Sequence, residues 1–502
     1  MGIGMWLART VAGTVMLAGT AAAAAPEPAP TAQERQLAET LTAIDAANDA
    51  GDCRKARTLG EGLLKARPGK LKARLEAALE GVVAQCAFEA GARDAAYAHA
   101  LRGTGFDESR DGLWHLRLFL ELEAKKYGAA VATVDAMMQG HGAALNSAPM
   151  QWLYRLDQEI KKAGLKAERR RLLALLASDA YVPNDSLGDT QSFQESYAEV
   201  LAEAGDTAGA RAALAGVTDP VTLIDALFDP KVAALLPADF DMRAAAERQL
   251  ARDRALAERH PDRLAAIDAV ANDLRRLGRP KEVLALLQPI VARTDAATAF
   301  VDAGDKLSWA WDEVARAYAM LGRYDDAAKA FAAGAAVDES GSANVSQVIN
   351  LAHLQMRFGH PQEALKTLAV FDDPKRKASP YGIMEMRLAR GCANAAAGGA
   401  GAAAADLAYA KAHPDDHPEA LGYLYLCLGR MDDAAAFFIA GLQDPLRRVR
   451  ILETLSDYDS PPVALPPGFP EKIAQLKTRP DLKAAIARAG GTRRIPLQES
   501  DL

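Results

Sequence analysis

The residues best placed to do chemistry are His413, Asp415, Asp416 and His417, in the run HPDDH. Two imidazoles flanking two carboxylates form a donor set that zinc or manganese accepts, and a metal there would make the chain a metal-dependent hydrolase. The competing reading is punctuation. Pro414 and Pro418 break one helix, and Asp416 or His417 precedes the next. The second reading is preferred, so no catalytic residue, no metal site and no cofactor is assigned. The chain carries no HExxH, no GxSxG and no Walker-type glycine-rich loop ending in lysine. GGAGAAAAD at 398–406 follows no strand pattern and reads as a loosened helix junction, not a phosphate cradle. DESGSAN at 338–344 lacks the spacing of a calcium loop and reads as a turn.

What remains is a set of side chains that act only if repeated elements align them. In WDEVARAYAMLGRYDDAAKAF, starting at Trp311, Val314 and Tyr318 lie four apart, with Leu321 three further on and then Gly322. That is one apolar helical stripe and a residue suited to close it. Asp325 and Asp326 suit the first turn of a second helix, in which Ala327 and Phe331 are four apart, small beside large. The same punctuation recurs at Gly278, Gly359, Gly398 and Gly429, giving intervals of 44, 37, 39 and 31 residues. Upstream, Gly51, Gly91, Gly164 and Gly205 mark similar turns, and Lys125 stands where one glycine is missing. Hydrophobic residues make 50 % of the chain with only 6 % aromatic, so alanine must do much of the burying, and little or no strand is expected.

This pattern resembles the tetratricopeptide repeat. Trp311, Tyr318, Ala327 and Phe331 fall on that family's pattern, with Val314-Ala315 for leucine-glycine and Glu339 for the usual proline. Leu421-Gly422, Tyr425, Ala434 and Phe438 match in a second unit, with Pro418 for the tryptophan, and the first unit adds Ala56 and Pro68. The resemblance covers roughly residues 33 to 445, about ten units. It implies an all-α, right-handed α-solenoid of stacked helix-turn-helix repeats that docks protein partners, with envelope assembly, secretion or polysaccharide export as settings. The expected organisation is a signal peptide (1–24), a Pro/Ala-rich linker (25–32), N-terminal repeats (33–220), a degenerate repeat (221–260), C-terminal repeats (261–445) and a helical cap with a flexible tail (446–502).

In such a solenoid the first helices line the concave face. Stepping from Asn272 by the repeat intervals gives Arg316, His353, Cys392 and Tyr423; stepping from Arg276 gives Met320, Arg357, Ala396 and Cys427. Arg276, Arg316 and Arg357 would gather beside Asn272, His353 and Tyr423 to clamp carboxylates such as a peptide terminus, with Trp309 as an aromatic anchor. The alternative is that these arginines pair with local acids such as Asp268 and Asp312 and that Trp309 is core. A small-molecule groove would look the same.

The first residues predict export. After Arg9, VAGTVMLAGTAAAAA is about the length of a signal-peptide core and short for a membrane span. Cleavage after Ala24 leaves no integral span, and a periplasmic or secreted protein follows; an uncleaved anchor is the alternative. Four cysteines then invite pairing. Cys53 opens the second helix of one unit and Cys86 lies late in the first helix of the next, so they should meet; Cys392 and Cys427, in adjacent first helices, pair only if their Cα atoms come within about 7 Å. The net charge of −7, with a pI near 5.8, makes nucleic acid a poor partner. The local run from Lys161-Lys162 to Arg169-Arg170-Arg171 reads as a solvated face.

Overall fold

The computed structural model describes residues 31–67, 69–184, 187, 190–338, 344–373, 376–399, 401–464 and 468–499. The expected signal peptide, nearly all of the linker, Pro68 and Glu339 lie outside them. The chain forms two compact units, one ending at Ala213 and one beginning at Leu214.

The N-terminal unit opens with the helix Ala32–Asp49, started by a capping box in which the Thr31 hydroxyl accepts from the Glu34 amide and the Glu34 carboxylate accepts from the Thr31 amide. Helical pairs follow: Cys53–Ala66 returns along the first helix, Ala73–Glu89 pairs with Arg93–Gly103, Asp111–Glu123 with Tyr127–Gly140, and Met150–Lys162 with Lys166–Leu176. Between the last two pairs lies a core of Leu118, Val134, Met137, Leu153, Leu156, Ile160 and Leu172, all shut off from water.

Each turn has one geometry. At Gly322 φ is +70°, the Gly322 amide donates to the Ala319 carbonyl and the Arg323 amide to Tyr318, which satisfies the last carbonyls of the helix. The glycines anticipated at the other turns share this positive φ, and Lys125 adopts it without being glycine, at φ +54°. The Lys126 amide still reaches the Glu121 carbonyl at 2.8 Å. A side chain there costs about 1–2 kcal/mol, which the packed pair absorbs.

The C-terminal unit begins with Pro220–Phe228 and Met242–Arg259 and continues in pairs: Leu264–Arg276 with Pro280–Val291, Ala303–Met320 with Tyr324–Ala335, Ser346–Arg357 with Pro361–Leu368, Pro380–Ala396 with Ala404–Ala412, and Ala420–Cys427 with Met431–Gln443. Pro280 and Pro361 open their helices, where the missing amide is no loss. Ala327 with Phe331, and Ala434 with Phe438, are buried as the small-to-large rule requires. Close approach is also enforced at Gly391, where a Cβ would sit 2.7 Å from Leu424 Cδ2. Just beside it, Cys392 and Cys427 are bonded with Cα atoms 5.1 Å apart; in the other unit Cys53 and Cys86 are bonded at 4.9 Å.

The chain end differs from expectation. Helices Arg448–Thr454, Phe469–Leu476 and Pro480–Arg488 pack on the unit, and in the stretch read as a flexible tail the strand Arg494–Gln498 pairs in parallel with Asp457–Asp459. The reason is alternation: Ile495 and Leu497 point inward, each 1 % exposed, while Arg494 faces water. Arg448–Thr454 packs against Pro220–Phe228, and Arg494–Gln498 against Met242–Arg259 and Leu264–Arg276, so the last elements of the unit meet its first. Among the described residues no helix is long and apolar enough to cross a membrane.

Candidate concave docking face

The first helices of the C-terminal unit set out a polar column, and neighbouring helices satisfy most of it. Arg276 Nε donates to Asn272 Oδ1 at 2.8 Å, Asn272 Nδ2 to Glu313 Oε1 at 3.4 Å, and Arg275 Nε to Glu313 Oε2 at 2.8 Å. Arg316 pairs with Asp312, which also accepts from Asn350 Nδ2 at 2.7 Å. Sequence reasoning foresaw the Arg316–Asp312 pair as the alternative to a free cation. It also named Asp268 as an arginine partner, and this needs correction: both its carboxylate oxygens are sealed and accept no hydrogen bond. Burial, reinforced by Glu313, raises its pKa well above the usual range. Trp309, two turns before Arg316 on the same stripe, is 37 % exposed and is not core. Met320 and Cys392, placed on the face by the repeat intervals, are buried.

His353 belongs to a cluster that sequence reasoning missed. Its Nε2 lies 3.2 Å from Glu385 Oε2, and His417 Nε2 lies 2.7 Å from Glu385 Oε1. His417 Nδ1 faces Glu419 at 3.4 Å, and its ring stacks on Tyr381. Burial alone would raise Glu385, but its two histidine hydrogen bonds hold it well below the carboxylate range. Burial would likewise lower His417, yet Glu385 and Glu419 lift it to about 9. The available signal was spacing: Glu385 stands 32 residues after His353 and 32 before His417, one repeat each way.

That arrangement takes HPDDH apart. While His417 turns to Glu385, His413 stacks on Tyr409 with ring centroids 4.1 Å apart, and Asp415 faces water. The four side chains share no centre, and among the described residues no group of three or more His, Cys, Asp or Glu is placed to hold a metal. In GGAGAAAAD, Asp406 is buried and clamped by Arg390 Nη2 at 2.6 Å and Arg387 Nη1 at 3.1 Å, a structural ion cluster. The basic run of the N-terminal unit is similarly partnered: Lys161 with Glu199, Lys162 with Glu159, Arg169 with Asp157 and Glu199, and Arg171 with Asp135.

At the far end of the column the chain meets itself. Phe469 packs its ring edge-on against Tyr423, centroids 4.9 Å apart, and against the core that includes Cys392 and Leu424. Lys472 Nζ donates to the Leu426 carbonyl at 3.2 Å, and Arg479 Nη1 to Asp432 at 2.6 Å. Gly468 lies against the Arg357 guanidinium. The Arg357 Nη1 atom is sealed and has no hydrogen-bond partner; burial lowers its pKa, opposed by Glu471 and Glu499. Further on, Arg243 donates to the carbonyls of Leu277 and Pro496, and Arg493 Nη2 to that of Leu227.

No protein-family model and no curated protein matches the chain. Solved structures do. The Cut9-Hcn1 hetero-tetramer of the APC/C is 12 % identical over 90 % of this chain and 96 % of its own, with a TM-score of 0.29. The structure of Naa15/Naa10 bound to HypK-THB is 13 % identical over 90 % and 96 %, with a TM-score of 0.23. The helix pairs themselves, with their left-handed turn residues and small-to-large packing, decide the architecture. Each unit is an all-α stack of tetratricopeptide-like helix-turn-helix pairs. Such stacks present long columns of side chains rather than one catalytic pocket.

Proposed function

We infer that the protein is an exported scaffold that binds other proteins or peptides along the concave face of its helical repeats. One observation carries the reading: the face that repeat spacing singled out already holds a run of polypeptide. Phe469 against Tyr423 and Lys472 on the Leu426 carbonyl are an aromatic anchor and a backbone contact, as a peptide ligand would use. The two disulfides support an oxidising compartment, periplasmic or secreted, and agree with an amino-terminal export signal. Envelope assembly, secretion and polysaccharide export are settings in which such a scaffold serves.

The test is affinity capture from the protein's own envelope extract, comparing wild type with the Arg316→Ala, Arg357→Ala double variant. A short list of partners lost in the variant, with helicity unchanged, is expected; identical capture by both overturns the choice of face. Amino-terminal sequencing of the exported protein should begin at Ala25, give or take two residues, and an intact Met1 overturns cleavage.

A further inference from the structure

The segment Phe469-Pro470-Glu471 sits against the helix Ala420–Cys427 as an incomplete ligand. Its aromatic is well seated, with Tyr423 on one side and the Cys392, Leu424 core beneath. Its charges are not. The Glu471 carboxylate turns back to accept from its own Gly468 amide at 2.5 Å, capping its own helix, and Arg357 Nη1 beneath is left sealed without an acceptor. Leaving a buried guanidinium donor unpaired is costly, and a carboxylate placed on it would recover a charge-assisted bond. Lys472 is also desolvated, with its pKa lowered, and finds only a carbonyl. An occupant that fills the aromatic seat but fails the arginine is one that a better-matched peptide can replace.

We propose that the surface formed by Tyr423, Met356, Arg357 and the rim of the Cys392–Cys427 bond is a docking site for a partner peptide carrying an aromatic residue followed two positions later by an acid. The chain's own Phe469 and Glu471 act there as a built-in competitor. The partner's aromatic takes the seat of Phe469, and its free carboxylate, having no helix of its own to cap, reaches Arg357. Binding therefore requires release of residues 468–476, and this segment sets the threshold for engagement. The proposal rests on reading the C-terminal unit as a scaffold.

The test uses the full chain and a labelled synthetic peptide with the sequence of residues 468–476. Wild type should bind it weakly. The Phe469→Ala chain, whose own anchor is gone while the seat is intact, should bind at least about tenfold tighter, a gain of roughly 1.4 kcal/mol. Peptides carrying the F469A or E471Q change should lose that gain. Equal affinity of wild type and variant, or indifference to either peptide change, overturns the proposal. If Phe469→Ala destabilises the unit, hydrogen exchange on the wild-type chain decides: amides of 469–476 should exchange by local opening, well before those of Met431–Gln443, and equal protection overturns the release step. Exchange of the segment between two copies, seen as a concentration-dependent dimer, also overturns an external partner. A segment that never releases leaves the scaffold reading standing with its partners elsewhere, whereas wild-type capture of no partner from the extract fails that reading itself.

Discussion

In the N-terminal unit Arg169 lies between Asp157 and Glu199, at 2.8 and 2.9 Å, whereas in the C-terminal unit Glu453 lies against Asp225 and Asp273 against Asp253. The first arrangement joins opposite charges across neighbouring helices; the second sets like ones side by side. Burial alone would raise Glu199, but Arg169 and Lys161 hold it down. Burial and the adjacent carboxylate push both Glu453 and Asp273 up to about 8. The lesson is that one repeat geometry supports two electrostatic designs, decided by which residue the next helix brings opposite. The like-charged pair Glu453–Asp225 also lies where the last helix before the strands meets the first helix of its unit.

The largest expected effect breaks the opposite-charge design. Arg169→Ala leaves Asp157 without its buried cation and Glu199 with Lys161 alone, and should cost the N-terminal unit about 3–5 kcal/mol, read by denaturant unfolding followed at Trp114 and Trp152. A loss below about 1 kcal/mol would mean that water already reaches the cluster. Next come the disulfides, which treat both units alike. Cys86→Ala and Cys427→Ala should each cost about 3–4 kcal/mol on the chain-entropy model, since the bonds close loops of similar length, 33 and 35 residues apart in sequence. Strongly unequal costs would show that native packing, not chain entropy, sets their value.

Titration sharpens the contrast at intermediate size. Glu453 and Asp273 bind a proton in the folded state that they lose when unfolded, between their ordinary carboxylate values and about 8. His417 does the same between 6.5 and about 9. Each therefore contributes stability that is full below its unfolded pKa and is lost as pH rises through the folded one. From pH 6 to 9 the C-terminal unit should lose at least one such group's worth, about 2–3 kcal/mol, while the N-terminal unit holds. In the N-terminal unit Glu80 and Glu199 are depressed, so its loss comes instead as pH falls below the ordinary glutamate range. Glu385 and Glu419 are depressed as well, so both units should weaken on the acid side while the C-terminal unit alone weakens from pH 6 to 9; thermal unfolding of each unit across pH 4–9 checks this, and parallel curves above pH 6 would refute the contrast. The smallest effect is on the surface: Lys166→Ala, removing an exposed pair with Glu203 at 3.7 Å, should change stability by less than about 0.5 kcal/mol.

Much of this molecule was determined by the sequence alone, because its signals are local. A turn glycine, a proline at a helix start and an alanine four residues from a phenylalanine each act within one helix pair, and repetition then fixes the architecture. The Cys53–Cys86 pairing followed, since antiparallel neighbours bring the start of one helix to the end of the next, whereas Cys392–Cys427, in adjacent first helices, was settled only by their approach to 5.1 Å in the stack. The column of Arg276, Arg316 and Arg357 was legible as spacing, and Asp268 and Asp312 as candidate partners, but which pairs form was not. Whether an arginine is free or clamped depends on the facing helix, whose rotation no single repeat specifies; Asp312 took Arg316, while Asp268 took nothing. Glu385 escaped notice because its meaning comes from His353 and His417, one repeat away on either side. The chain end lay furthest from reach. RIPLQ reads as a mobile terminus until Asp457–Asp459 offers it an edge, and Phe469 reads as a loop residue until Tyr423 and the Cys392–Cys427 bond form its seat. Those contacts span up to 266 residues, from Leu227 to Arg493, and only the closed stack brings such partners within reach of one another.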